Sequence, residues 1–325
     1  MPAPIPDPAP NLQKDFLVSV ELITLGTAAG PAIRGPENGM SSALVVGDAF
    51  YMVDFGLGCS RAAHEAGLRG KDFVAGFVTH LHSDHVVELP GFLLWNWGNP
   101  VEGFTGPVSV VGPGKDHTRD GGARLSSTSE LVSHSLKAFS YDIDIRVHDE
   151  ARPELASLLR TVDLITPRHG APEAARPFDV YEDDRVKVTG ILVEHPPVRP
   201  ALAFRFDTDA GSVVYSGDTA ECDTLAVLAT SADVLVHEAV NLDFYAGKGF
   251  SPEFLNHQRI AHTPPEGAGR VATAAGVGRL VLSHLAGRAE PEWWRSRAAS
   301  SFDGPVDVAV SGQRFTIGSP VLAPL

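Results

Sequence analysis

The sequence contains few cysteines, and it has no run of apolar residues long enough to cross a membrane. Cys59 and Cys222 are the only two cysteines among 325 residues, which excludes a disulfide framework and a cysteine-based zinc ribbon. No segment approaches the roughly 20 apolar residues of a membrane-spanning helix. The first residues, "MPAPIPDPAPNLQKDF", lack the basic and apolar regions of a signal peptide. We therefore expect a soluble, cytoplasmic protein with no membrane partner.

Basic residues are also scarce relative to acidic ones. The chain has 26 Lys and Arg against 40 Asp and Glu, which gives a net charge of −14. Because nucleic-acid binding needs a basic surface to neutralise phosphates, this balance makes nucleic acid an unlikely but not excluded partner. The Pro-rich residues 1–16 predict a flexible arm. No linker interrupts residues 17–325, which predicts one domain.

Apolar runs of strand length alternate with helical patterns along the chain. The predicted strands cover 17–25, 42–46, 50–55, 72–79, 186–194, 201–207, 212–216, 233–240, 279–285, 306–310 and 314–317. Between the two groups of strands, helices are expected near 127–139 and 153–164. The order is β-rich, helical, β-rich and helical, and two sheets between layers of helices would satisfy it.

The densest set of chemically active side chains is "THLHSDH" at residues 79–85. Alternate residues of an extended segment share a face, so His80 and His82 can present their imidazoles to one ion. Asp84 and His85 follow, and a carboxylate beside an imidazole could hold a second divalent ion. Further ligands must come from elsewhere, and His195, Asp218 and His284 all stand at the ends of β-rich runs.

Several segments, in this order, resemble the metallo-β-lactamase superfamily, with the best match to its branch of ribonuclease Z and ribonuclease-Z-like arylsulfatases. They are "LGTAAGPAIRG", "SSALVV", "YMVDFG", "VTHLHSDHVVELPGFL", "VEHPPVRPALAFRF", "YSGDT", "VLVHEA" and "LVLSHL". The resemblance implies an α/β fold, the four-layer αββα sandwich. The weaker match at about 113–180 implies a partly helical insertion, either a lid or a dimer element. A homodimer is expected from the resemblance alone.

The resemblance also implies roles for individual residues. One metal would be held by His80, His82 and His195, and a second by Asp84, His85 and His284, with Asp218 bridging the two. Two Zn²⁺ ions are expected, with Mn²⁺ or Fe²⁺ as alternatives. The nucleophile would be a metal-bridging hydroxide, oriented by Asp84. Asp54 would support the loop behind the metals.

Two more residues match catalytic positions of the branch. His262 would stabilise the transition state or protonate the leaving oxygen, and Glu238 would orient it. The alternative for His262 is a structural residue at the start of a helix, before Pro264 and Pro265. For His237, within the same apolar strand as Glu238, a structural role is favoured.

The substrate is the least determined feature. We expect a dinuclear metallo-hydrolase acting on a small phosphodiester or an aryl-type sulfate ester, because residues 196–217 leave no room for a tRNA-gripping arm and the chain is acidic. The alternatives are, in order, a lactonase or other carbonyl ester hydrolase, a ribonuclease Z-type tRNA 3′ endonuclease, and a non-catalytic metal-binding regulatory protein. Trp95, Trp97, Phe244, Tyr245 and Phe250 are candidates for lining an apolar pocket.

Overall fold

The computed structural model describes residues 19–116, 125–168 and 170–318. These residues form two β-sheets of seven strands each, which pack face to face. Helices cover the outer face of each sheet. The layers therefore follow the order helix, sheet, sheet, helix, which confirms the predicted αββα sandwich.

The first sheet takes most of its strands from the N-terminal half of the chain. Its strands are β1 (Val20–Gly26), β2 (Ser41–Val46), β3 (Ala49–Val53), β4 (Phe73–Phe77), β5 (Val108–Pro113), β6 (Leu159–Leu164) and β14 (Gln313–Ile317). β14 forms one edge beside β1, and β6 forms the other. The pairs from β14 to β3 are antiparallel, and those from β3 to β6 are parallel.

The second sheet keeps its strands in chain order. They are β7 (Phe178–Glu182), β8 (Lys187–Leu192), β9 (Leu202–Thr208), β10 (Gly211–Tyr215), β11 (Val234–Val240), β12 (Leu280–Ala286) and β13 (Val306–Val308). The pairs from β7 to β10 are antiparallel, and those from β10 to β13 are parallel.

Short helices join the strands and supply the outer layers. They are α1 (Cys59–Glu65), α2 (Ser83–Val86), α3 (Leu89–Trp95), α4 (Thr128–Ala138), α5 (Ser140–Asp149), α6 (Leu155–Leu158), α7 (Asp223–Leu228), α8 (Leu242–Ala246), α9 (Pro252–Ala261), α10 (Pro265–Ala275) and α11 (Pro291–Ala299). In the part of the chain that the structure describes, no helix is both long and apolar enough to span a bilayer.

The strands are apolar on both faces because each sheet lies between a second sheet and a layer of helices. In β1, Leu22 points into the core between the sheets, whereas Ile23 and Leu25 pack towards the helices outside. Edge-to-face contacts join Phe77 of the first sheet to Phe204 and Phe206 of the second, with ring centres 5.7 and 5.0 Å apart. Such pairs stabilise the contact beyond the area that they bury.

The segment 113–180 differs from its predicted secondary structure. The helix expected over 153–164 is wrong, because only α6 is helical there and "LRTVDL" forms β6, in parallel register with β5. β7 was also not predicted. With β6 at the edge of the first sheet and β7 at the edge of the second, this segment supplies one edge strand to each sheet. Its role as a lid or a homodimer contact stays a prediction. Residues 1–16 and 117–124 lie outside the described residues.

Candidate metal centre

The histidine-rich segment lies at the carboxyl end of β4. After Phe77 the chain passes through His80 and His82 in a loop, and His82 immediately precedes α2, which contains Asp84 and His85. The helix turns the last two side chains back towards the first two. His80 Nε2 lies 3.0 Å from His82 Nδ1.

The other three predicted ligands come from the second sheet. His195 follows β8, Asp218 follows β10, and His284 lies on β12. These three strands run in the same direction, so their carboxyl ends meet at one edge. At that edge the Leu202 N–H donates to the Thr79 carbonyl oxygen over 3.0 Å, which joins the second sheet to the segment after β4.

One group of ligand atoms, here called the three-histidine half-site, consists of His80, His82 and His195. His195 Nε2 lies 3.3 Å from His82 Nδ1. Asp218 Oδ2 faces this group, 3.8 Å from His80 Nε2 and 3.9 Å from His195 Nε2. All four residues offer ligand atoms within 4.8 Å of one another, which is compatible with a shared ion.

The second group, here called the carboxylate half-site, consists of Asp84, His85 and His284. Asp84 Oδ2 lies 3.6 Å from His85 Nε2 and 3.3 Å from His284 Nε2. Asp218 Oδ1 lies 3.3 Å from both His85 Nε2 and His284 Nδ1. The two oxygens of Asp218 therefore face different half-sites, as expected for a bridging carboxylate.

Three buried atoms show that this donor set suits a cation. His85 Nε2, Asp218 Oδ1 and His284 Nδ1 have no hydrogen-bond partner among the described residues. Buried polar atoms without partners are costly, and a cluster of them indicates a ligand that satisfies them. Imidazole nitrogens and carboxylate oxygens suit Zn²⁺ and similar divalent ions. The residues present therefore fit the metal that the sequence predicts.

Unusual backbone conformations aim two of these ligands. On β12, Ser283 and Leu285 pair with consecutive residues of β11, so His284 is the extra residue of a β-bulge, and its φ is +42°. A bulge redirects a side chain that a regular strand would place elsewhere. Gly217, just before Asp218, has a φ of +58°, and a Cβ there would lie 2.5 Å from the Leu202 carbonyl oxygen. Only glycine fits this turn.

Hydrogen bonds behind the ligands fix their orientation. Asp54 accepts from His85 Nδ1 at 2.7 Å and from the backbone and side chain of Thr79 at 2.8 Å each. The Thr79 hydroxyl in turn accepts from His80 Nδ1 at 3.1 Å. His195 Nδ1 donates to the Ala261 carbonyl oxygen at 2.9 Å. Each of these three imidazoles thus turns its Nε2 towards the half-sites.

Burial and neighbouring charges set different protonation states in the two half-sites. Burial lowers the pKa of His82 and His80, and it lowers the pKa of His195 to about 3. Burial also disfavours the charged form of His85, but the negative charges of Asp218 and Asp54 outweigh it and raise the pKa of His85 well above its usual value.

His262 and Glu238 form a buried pair beside the half-sites. His262 follows α9 and Glu238 lies on β11, and His262 Nδ1 donates to Glu238 Oε1 at 2.8 Å. The Thr219 N–H donates to the same oxygen at 2.9 Å. Burial opposes protonation of His262, but the negative charge of Glu238 and this hydrogen bond raise its pKa to about 9. The raised pKa favours the protonated form of His262 at neutral pH.

A cavity of about 490 Å³ connects these residues to the surface. Its lining includes His82, Asp84, Asp218, His262 and His284 together with aromatic side chains that follow β11. Of the five predicted pocket aromatics, Phe244, Tyr245 and Phe250 line it. Trp97 is buried under α3 and α4 and Trp95 is exposed, so neither lines this cavity.

One histidine of this cavity was not predicted to have a role. His257 lies on α9, with its ring centre 5.9 Å from that of His195 and 5.6 Å from that of His262. His257 stands outside every matched motif. Its position five residues before His262 was the only sequence feature that could have pointed to a place in the cavity. His237, by contrast, is fully buried on β11 and bonds to the backbone of Glu238, which supports the structural role expected for it.

Comparison with known families identifies the family and its fold. Residues 116–285, more than half of the chain, match the beta-lactamase superfamily domain, and residues 34–103 match the metallo-beta-lactamase superfamily. The chain belongs to the metallo-β-lactamase superfamily. Members of this superfamily typically bind divalent metals, in agreement with the two half-sites. Membership of this superfamily also makes the chain a hydrolase.

Relatives place the chain in the ribonuclease Z branch of the metallo-β-lactamase superfamily. It is 32% identical over 298 residues to a ribonuclease Z of Mycobacterium bovis, which covers 89% of this chain and 95% of the relative. Among solved structures it resembles the metallo-beta-lactamase fold protein YhfI from Bacillus subtilis, with a TM-score of 0.64, 18% identity and coverage of 92% and 99%. The short form of human tRNase Z gives a TM-score of 0.63, 19% identity and coverage of 92% and 100%. These two structures support the fold.

Proposed function

We propose that this chain is a metal-dependent phosphodiesterase of the ribonuclease Z type, which cleaves precursor tRNA on its 3′ side. The observation that carries the proposal is the similarity to ribonuclease Z over 89% of the chain, a stretch that includes both half-sites. This choice replaces the small phosphodiester or aryl sulfate ester that the sequence favoured. The net charge of −14 is a weak counterargument, because it sums the whole surface and does not describe the potential at the site.

The proposed metal ligands follow the two half-sites. His80, His82 and His195 would hold one ion, while Asp84, His85 and His284 would hold the other. Asp218 has one oxygen facing each half-site and could serve both. Zn²⁺ is the proposed metal, because nitrogen donors outnumber carboxylates and Zn²⁺ accepts both.

The side chains around these ions divide the chemistry between them. Divalent ions bound here would supply a hydroxide nucleophile near neutral pH and would neutralise charge on the phosphate. Asp84 is fixed by the Gly30 N–H, which donates to its Oδ2 at 2.8 Å, so its carboxylate can orient the attacking group. His262 protonates the leaving oxygen, and Glu238 holds His262 in its donor form.

A second candidate is a small phosphodiester. Residues 196–217, between His195 and Asp218, contain only β9, β10 and short connections, so no arm extends there to grip a folded RNA. The cavity of about 490 Å³ is large enough for a substrate of nucleotide size. An aryl sulfate ester or a lactone would meet the same nucleophile, and these are lower alternatives.

Turnover assays on matched substrates separate these candidates. Metal-loaded protein is incubated with a precursor tRNA carrying a 3′ trailer, bis-p-nitrophenyl phosphate, p-nitrophenyl sulfate and a simple lactone. We expect efficient cleavage of the precursor at its 3′ side. Turnover of bis-p-nitrophenyl phosphate without cleavage of the precursor would favour the second candidate. Preference for the sulfate ester or the lactone would reject phosphodiester chemistry.

Metal analysis tests the site itself. Purified protein, dialysed against Zn²⁺ and then against metal-free buffer, is expected to retain two ions per chain. His82→Ala is expected to lose one of them, whereas His134→Ala, an exposed histidine on α4, is the matched control and should retain both. Protein that retains no transition metal would refute the proposed site.

A further inference from the structure

An aromatic wall lines the same cavity as several of the proposed ligands. It consists of Phe244 and Tyr245 on α8, Phe250 in the following loop, and Phe254 on α9. Phe250 and Phe254 are stacked with ring centres 4.7 Å apart, and Tyr245 packs edge-on against both at 5.5 and 5.4 Å. Phe250 is 42% exposed despite these ring contacts, although phenylalanine is usually buried. The wall therefore presents an accessible ring surface beside the proposed reaction centre.

A polar side chain that lines the same cavity, Gln258, has a buried oxygen without a hydrogen-bond partner among the described residues. Gln258 is one helical turn after Phe254, so both lie on one face of α9. Its side chain is only 7% exposed and lines the cavity, yet its Oε1 has no hydrogen-bond partner among the described residues. A buried amide without a partner indicates a ligand that supplies one.

A planar ring with hydrogen-bonding groups at its edge fits these two features together. An apolar ring could stack on Phe250 but would leave Gln258 unsatisfied. A sugar could bond to Gln258, but its puckered ring matches a flat aromatic face less closely than a planar base does. Proteins bind unpaired nucleobases by stacking them on aromatic side chains and bonding to their edges. A subsite for one base also suits an acidic chain, because it needs no broad basic surface.

We propose that the aromatic wall and Gln258 form a subsite for the base of the nucleotide that carries the scissile phosphate. The inference rests on the proposed phosphodiesterase function and specifies its substrate. The base stacks on Phe250, and its edge exchanges a hydrogen bond with the Gln258 amide. The phosphate then lies towards His262 and the half-site residues that line the same cavity.

Three chromogenic substrates test this subsite with metal-loaded protein. Thymidine 5′-(p-nitrophenyl phosphate) carries a base, methyl p-nitrophenyl phosphate carries none, and bis-p-nitrophenyl phosphate carries an apolar ring in its place. We expect kcat/KM for the thymidine ester to exceed that for the methyl ester by about tenfold or more, mainly through KM. Equal values for these two esters would overturn the subsite while leaving phosphodiester hydrolysis established.

Two variants and a control locate the preference. Phe250→Ala should reduce the ratio of kcat/KM for the thymidine ester over the methyl ester towards one. Gln258→Leu should reduce the ratio of the thymidine ester over the bis-aryl ester by about fivefold. Phe139→Ala removes a ring of similar exposure, 45%, at the end of α4 and should change neither ratio. If Gln258→Leu leaves its ratio unchanged, the wall accepts any aromatic ring and the assignment to a base is wrong.

A binding measurement separates failure of the subsite from failure of the function. Calorimetric titration with thymidine 5′-monophosphate and with 2-deoxyribose 5-phosphate compares ligands that differ only in the base. The nucleotide should bind about tenfold more tightly, and Phe250→Ala should remove the difference. Equal affinities would refute the subsite. Tighter binding of the nucleotide, without turnover of any phosphodiester, would instead refute the proposed function.

Discussion

Both half-sites contain histidines, but these histidines differ in charge. In the three-histidine half-site, burial keeps His80, His82 and His195 neutral, and their lone pairs are free to bind an ion. In the carboxylate half-site, burial of His85 is outweighed by the charges of Asp218 and Asp54, so this imidazole binds a proton until a metal displaces it. Metal binding should therefore release protons chiefly from the second half-site.

Besides the charge of Asp218, the residues behind the ligands contribute to this difference. His195 donates to a neutral carbonyl oxygen, whereas His85 donates to the Asp54 carboxylate. A carboxylate partner makes an imidazole more basic and a stronger electron donor to a metal. Similar ligands thus give one neutral and one charged half-site.

The largest expected effect comes from removing the residue that both half-sites share. Asp218→Ala leaves the two groups of imidazoles facing each other without a bridging carboxylate. We expect turnover to fall by about 10⁴-fold and metal content to fall below two ions per chain. Parallel measurement of kcat and metal content checks this, and near-normal turnover with full metal content would show that the half-sites act independently.

His262→Ala is expected to reduce kcat by about 10²- to 10³-fold while leaving the metal content unchanged, because His262 serves as the acid and not as a ligand.

Glu238→Gln should have a smaller effect on kcat. Because the charge of Glu238 raises the pKa of His262, the alkaline limb of the pH profile should move to lower pH in that variant. An unshifted alkaline limb would mean that Glu238 does not position His262.

Asp54→Asn tests the origin of the charge difference directly. We expect the metal affinity of the carboxylate half-site to fall by about 10- to 100-fold, with little change at the other half-site. Fewer protons should be released on metal binding, because the pKa of His85 falls when the Asp54 charge is removed. Calorimetry in two buffers of different ionisation enthalpy measures both quantities. Asp183→Asn, whose carboxylate bonds to Tyr51 and Tyr181 instead, is the control.

Thr79→Val is expected to have the smallest effect. The hydroxyl donates to Asp54 and accepts from His80, so its loss leaves one proton of a buried imidazole without an acceptor. A single such bond contributes about 1 kcal/mol, so the metal affinity of the three-histidine half-site should fall by about fivefold. A larger loss in the carboxylate half-site would show that Thr79 acts mainly through Asp54.

Local pattern was enough to predict the first part of the site. The spacing of His80, His82, Asp84 and His85 is readable within seven residues, and the apolar runs predicted most of the strands and the four layers. The partners His195, Asp218 and His284 were identified by their order along the chain, and the structure brings them to the same edge.

Other features depended on contacts that no local pattern reveals. The bulge that turns His284 into the site arises from its pairing with β11, which is distant in sequence. β6 is half-buried and only six residues long, so its strand pattern was too weak to distinguish from a helix. His257 joins the site because α9 packs beside His195, and the exposed position of Trp95 could not be separated from a pocket position by sequence alone.

Each half-site combines residues from both sheets, since His80, His82, Asp84 and His85 follow a strand of the first sheet, whereas His195, Asp218 and His284 come from the second. Each proposed ion would therefore tie the two ends of the domain together. By mass action, an ion at a thousand times its dissociation constant adds about 4 kcal/mol to the free energy of unfolding if the unfolded chain does not bind it. Chelation would then weaken the domain as well as the chemistry, and melting temperature would report metal occupancy without any substrate.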